Sequence, residues 1–133
     1  MSTNKFVLRE ESYAFAIRVV RLNQFLCNEK KEYVLSKQLL RSGTAVGALI
    51  KEAEFGQSRA DFRNKMTIAL KEANESVYWL NLLRDTDYIT EKMFQSMSDD
   101  CLELVRMLVA TVKTTKKSVD DGVGQIVGYG KLQ

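Results

Sequence analysis

Apolar side chains early in the chain recur at helical spacing. Phe15, Val19, Leu22 and Leu26 step by four, three and four, which stacks them on one face and predicts a first helix over roughly Ser12 to Cys27. Asn28-Glu29-Lys30-Lys31 interrupts the pattern. Ser36 stands where a hydroxyl can cap a second helix by accepting from a free first-turn amide. In that helix Leu39, Gly43, Val46, Ile50 and Ala53 form one seam, and Leu35, Leu39, Ser42, Val46, Leu49 and Ala53 form another beside it. Two seams predict two packing partners. Ser42, Gly43, Ala45, Gly47 and Ala48 are small enough to admit a neighbouring backbone. Each helical glycine costs about 1 kcal/mol relative to alanine, so close packing is the expected reason for both.

Ser58 followed by Asp61 resembles a capping box at the start of a third helix, Ser58 to Arg84. Its seam of Phe62, Met66, Ala69, Ala73, Ser76, Leu80 and Leu83 keeps a period of 3.5, which favours crossing angles of about 20° in a left-handed bundle. After the turn Asp85-Thr86-Asp87-Tyr88-Ile89, Thr90 caps a fourth helix. Met97, Cys101, Leu104 and Leu108 form its first seam, and Leu102, Val105, Val109 and Val112 its second. The second seams of helices two and four are expected at subunit contacts. Together the pattern predicts an all-α fold: a left-handed, antiparallel up-down-up-down four-helix bundle over 1–117. Gly122, Gly124, Gly128 and Gly130 make 118–133 an expected flexible tail, with a short strand added to a partner as the other reading of Ile126, Val127 and Tyr129.

The chain has 133 residues, enough for one domain, and contains neither Pro nor His. Missing Pro leaves every helix free of a forced break. Missing His removes imidazole bases, Ser-His and Cys-His nucleophile pairs, and the Glu-x-x-His pattern of bundle diiron sites. Glu52, Glu54, Glu72 and Glu75 are therefore expected solvated or paired with Lys51, Arg63 or Lys71 rather than catalytic. Gly43-Thr44-Ala45-Val46-Gly47 lacks the Lys-Ser/Thr of a phosphate loop and lies in a helical pattern. No enzymatic activity, cofactor or metal is expected. Cys27 and Cys101 are too far apart for a metal-ligand motif and sit among apolar residues, which predicts buried free thiols. No apolar run resembles a signal peptide or a membrane span, so a soluble, cytoplasmic protein without membrane partners is expected.

The net charge of +3 conceals an asymmetry. Residues 1–72 hold thirteen basic and eight acidic side chains, while 73–100 hold two and six. Such a dipolar distribution suits attraction of an anion or association of unlike faces. Lys37, Arg41, Thr44, Ala48 and Lys51 make a stripe on helix two away from its apolar seams. Arg63, Thr67, Lys71, Asn74 and Tyr78 make a polar stripe on helix three, with Arg59 at its start. Lys37, Arg41, Lys51, Arg59, Arg63 and Lys71 are candidate phosphate contacts, and Tyr78 is a candidate stacking platform.

The run Gln38-Leu39-Leu40-Arg41-Ser42-Gly43-Thr44-Ala45-Val46-Gly47-Ala48, continuing through Glu52-Ala53 to Ser58-Arg59-Ala60-Asp61-Phe62, resembles the bacterial 23S rRNA intervening-sequence protein family. So does Lys65-Met66-Thr67-Ile68-Ala69-Leu70-Lys71-Glu72-Ala73-Asn74-Glu75-Ser76 with Tyr78-Trp79-Leu80. Members are also known as four-helix-bundle or S23 ribosomal proteins, and the likeness covers nearly all of residues 6–117. It implies an antiparallel four-helix bundle assembled as a homopentamer, with similarity to retroelement accessory proteins that bind nucleic acid and a protein partner. Leu49 stands where the family often has Asn. The leading expectation is a non-enzymatic scaffold that binds RNA; the alternative is a protein-interaction adaptor that does not.

Overall fold

The computed structural model describes the backbone of residues 2–126 and the side chains of 5–115. Four helices follow one another: α1 (Ser2–Asn28), α2 (Leu35–Glu54), α3 (Arg59–Asp85) and α4 (Glu91–Ile126). Each packs on its sequence neighbours, and α1 also meets α4, whereas the diagonal pairs make no contact among the described residues. The chain is thus an all-α four-helix bundle. Side-chain contacts fix the directions. Arg9 meets Glu54 while Asn23 meets Ser36, Lys65 meets Glu52 while Ser76 meets Ser42, and Arg84 lies near Glu91 while Cys101 meets Ala73. In each pair one residue number rises as the other falls, so these neighbours run antiparallel.

The core follows the sequence seams. Phe15, Val19, Leu22 and Leu26 of α1 are buried, as are Met66 through Leu83 of the α3 seam and Met97, Cys101, Leu104 and Leu108 of α4. Phe62, which opens the α3 seam, is only half-buried. Burial pushes the Cys101 thiol up to about 12, and its Sγ donates to the Ala73 carbonyl at 3.3 Å. Cys27, expected buried, is only partly so.

Both seams of α2 pack inside the bundle, including the second, which was expected at a subunit contact. Ser42 Oγ lies 2.8 Å from Ser76 Oγ on the α3 side. Gly43 faces α1, where an added Cβ would come within 2.8 Å of a Val19 methyl. A Cβ at Gly47 would lie 3.3 Å from the Ser12 carbonyl oxygen. The glycines therefore serve the α1–α2 approach within one chain. On α4 half of the second seam is absorbed too: Val105 and Val112 pack on the core, Val109 is half-buried and Leu102 is exposed.

The helix ends differ from expectation at α2. Its cap is not Ser36, which is buried inside the first turn and donates its hydroxyl to the Glu32 carbonyl at 2.7 Å. The buried Glu32 carboxylate caps instead, accepting from the amides of Val34, Leu35 and Ser36 at 3.1, 2.9 and 2.7 Å. At α3, Ser58 Oγ accepts from the Asp61 amide at 3.0 Å, and Asp61 reaches back to the Gln57 amide. At α4, Thr90 Oγ1 accepts from Met93 at 3.1 Å.

Two boundaries also move. α1 begins at Ser2, ten residues before the expected start at Ser12, because Leu8 and Ser12 continue the buried face. α4 continues to Ile126, so the helix runs on past Lys117, where the bundle domain was expected to end. With no Pro present, nothing forces a break in the helical backbone as it passes Gly122 and Gly124. The rest of the expected tail, 127–133, lies outside the described residues.

Gly43→Ala gains about 1 kcal/mol of helix propensity but drives a methyl into the stiff Val19 side chain; it is expected to destabilise the fold by about 1–2 kcal/mol net. Denaturant midpoints check this. Adding Val19→Ala to Gly43→Ala should make the pair less destabilising than the two single changes combined.

Candidate nucleic-acid interface

The outer face of α2 and α3 is assembled by antiparallel packing of two helices whose inner faces are fixed by the core. With Ser42 against Ser76 and Glu52 beside Lys65, Lys37 falls level with Leu80–Asn81, within about a turn of Tyr78, and Lys51 with Met66–Thr67. Lys37, Lys51, Arg59, Lys71 and Tyr78 are exposed. The register thus brings the α2 stripe and the outward ridge of α3 onto neighbouring helices, with Arg41 between them.

Arg41 is already engaged. Its guanidinium donates to Glu72 at 3.2 Å and to Glu75 at 2.5 Å. Glu75 also accepts from Trp79 Nε1 at 3.3 Å. The hydrogen bond from Arg41 holds the Glu75 carboxyl below the usual carboxylate range, and the bond to Glu75 raises Arg41. The expected partners of these carboxylates, Lys51, Arg63 and Lys71, are not the ones used. Lys65, not among the expected partners, pairs with Glu52 at 3.0 Å. Carboxylates thus offset part of the positive face, while Lys37, Lys51, Arg59 and Lys71 make no ion pair among the described residues.

Several polar groups on the stripes are internally committed. Thr44 Oγ1 donates to the Leu40 carbonyl at 2.7 Å and Thr67 Oγ1 to that of Arg63 at 2.8 Å. These threonines satisfy their own helices and hold no free donor. Arg63 is half-buried and its Nε, shielded from solvent, lacks a hydrogen-bond partner. Tyr78 is 59% exposed and stands edge-on to Trp79, ring centroids 5.0 Å apart at 76°. Trp79 itself packs against the core, so Tyr78 alone offers an open aromatic surface on this ridge. Leu49 is partly buried against the core.

No described helix is long and apolar enough to cross a membrane, and no described cluster of Cys, Asp and Glu is suited to a metal. The largest feature missed by the sequence reading lies on α1, diagonal to α3. Tyr13, Ile17 and Val20 are 69%, 43% and 38% exposed on the outer side, while α1's opposite side is core. Beside them a groove of about 570 Å³ between α1 and α4 is lined by Ile17, Arg21, Phe25, Lys92, Met93 and Met97, among others. The spacing of Tyr13, Ile17 and Val20 was the available signal.

The sequence profile of the 23S rRNA-intervening sequence protein family matches residues 4–110. Among solved structures, the chain is similar to a protein of unknown function from the S23 ribosomal protein family of Bacteroides thetaiotaomicron VPI-5482, at 53% identity and a TM-score of 0.82. The match covers 83% of this chain and 98% of the other. No curated protein matches.

Arg41→Gln should lower stability at neutral pH by no more than about 1 kcal/mol, because the Arg41 and Glu75 side chains are a third or more exposed. Glu75 is depressed in the folded state, so the pair's contribution is present above the ordinary carboxylate range and is lost as pH falls through the depressed value. Thermal melts of wild type and variant should converge toward about pH 3.

Proposed function

The chain belongs to the 23S rRNA-intervening sequence protein family, and on that footing we propose a non-enzymatic homo-oligomeric scaffold, five copies as the family resemblance implies, that presents its α2–α3 outer face to RNA. The observation that carries this reading is the placement of two unlike surfaces on different helices. Apolar Tyr13, Ile17 and Val20 lie outward on α1, and the unpaired cations Lys37, Lys51 and Lys71 lie on α2 and α3. Assembly through the first leaves the second open.

A helix apolar on two sides is one that packs on two sides. Full burial of a side chain such as Val or Ile contributes about 1.5–3 kcal/mol, against an association cost of at least about 4 kcal/mol. The outer stripe and the adjoining α1–α4 groove therefore have to be covered together. On the other face, lysines without carboxylate partners suit sequence-independent contact with phosphates, and Tyr78 adds a surface for a base.

RNA affinity measured against salt tests the reading. A phosphate-binding face loses affinity steeply between low and physiological salt. The triple change Lys37→Glu, Lys51→Glu and Lys71→Glu should abolish retention while leaving the fold intact. Absence of RNA binding by the wild-type protein at low salt would contradict the proposal, and retention of a separate protein partner by both forms would favour an adaptor.

A further inference from the structure

A second cationic feature lies at the end of the bundle formed by the start of α1, the start of α3 and the later turns of α4. There a cleft of about 190 Å³ is lined by Lys5, Phe62, Arg106, Thr111, Thr114 and Thr115, with Met107 and Ala110. Its cations come from two different helices. Lys5 Nζ lies 4.8 Å from the centre of the Phe62 ring and makes no ion pair among the described residues. This cation–π contact holds the ammonium over an apolar floor and leaves its donors available.

Arg106 is oriented by a carboxylate on its own helix. Its Nε and one terminal nitrogen donate to the two oxygens of Glu103, leaving Nη1 with no hydrogen-bond partner among the described residues. A two-point hold of this kind fixes the plane of the guanidinium and preserves donors for an anion. The threonines divide by role. Thr111 donates to the Met107 carbonyl at 2.9 Å and Thr115 to that of Thr111 at 2.7 Å, so their hydroxyl hydrogens are committed. Thr114 is exposed and makes no such bond, leaving its hydroxyl able to donate.

We infer that this cleft is a seat for a single backbone phosphate of bound RNA, held by Lys5 Nζ, Arg106 Nη1 and the Thr114 hydroxyl. The volume suits one phosphate with the sugar and base outside. The Glu103 carboxylate is directed at Arg106 and lowers the net charge of the cleft to +1, enough for one monoanionic phosphodiester. This rests on the RNA-binding reading and adds to it a point of contact on α1 and α4, away from the α2–α3 stripes.

The salt dependence of single-stranded RNA binding tests it, with wild type, Lys5→Gln/Arg106→Gln, Thr114→Val and Lys37→Gln/Lys71→Gln compared. Emptying the cleft removes one phosphate contact and should shrink the log–log salt slope by about 0.7, the value per phosphate on a single strand. Thr114→Val should weaken binding severalfold with the slope unchanged, and thermal melts should show every variant folded. An unchanged slope and affinity in Lys5→Gln/Arg106→Gln, together with a reduced slope in Lys37→Gln/Lys71→Gln, would overturn the cleft while leaving the RNA reading in place. No RNA binding by wild type at low salt would overturn both.

Discussion

The approach of α1 to α2 at Gly43 and Gly47 is the contact on which the rest of the bundle depends. An added Cβ at Gly43 would meet both Val19 methyls within 3 Å, so the two helix axes are as close as this side chain permits. Drawing α1 onto α2 has a consequence on its other flank. α1 meets α4 less extensively than the other adjacent helices meet one another, and the space left between them is the groove floored by Phe25, Met93 and Met97. A small-residue pair inside one chain thus leaves an apolar recess on its outside.

Electrostatics separate the surfaces further. Cations that look equivalent along the sequence fall into two kinds once the helices pair. Arg41 and Lys65 are tied to Glu72, Glu75 and Glu52 across the α2–α3 contact, where they support packing register. Lys37, Lys51 and Lys71 are not tied and keep their full attraction for an external anion. The acidic excess of residues 73–100 is likewise not one patch: Glu75 serves Arg41, Asp100 serves Arg18 and Glu91 lies near Arg84. Much of the apparent charge dipole of the chain is spent in pairing its own helices.

The four helices were legible because a seam such as Met66, Ala69, Ala73, Ser76, Leu80 and Leu83 is a property of one helix at a time. Ser58 and Thr90 were legible as caps for the same reason, each acting on an amide three residues away. What depended on another helix was not. Glu32 reads as an ordinary loop residue until the turn folds back and places its carboxylate on three amides. Arg41 read as a free cation because Glu72 and Glu75 lie 31 and 34 residues on. The glycines announced a close contact, but nothing local named Val19 as its other side. The first α1 seam hid a second one, since Tyr13, Ile17 and Val20 alternate with the core positions. The candidate site was legible as a set of residue types and not as a set of available donors.

On the proposed scaffold reading, a second copy of the chain covers the outer stripe of α1 and the groove beside it. Solution mass, by light scattering coupled to size exclusion on the full chain at micromolar concentration, measures this most directly. The expected result is a multiple of the 15.2 kDa chain, five by the family resemblance, reduced toward a single chain by Ile17→Asp. A wild-type mass of 15.2 kDa at that concentration would contradict the account.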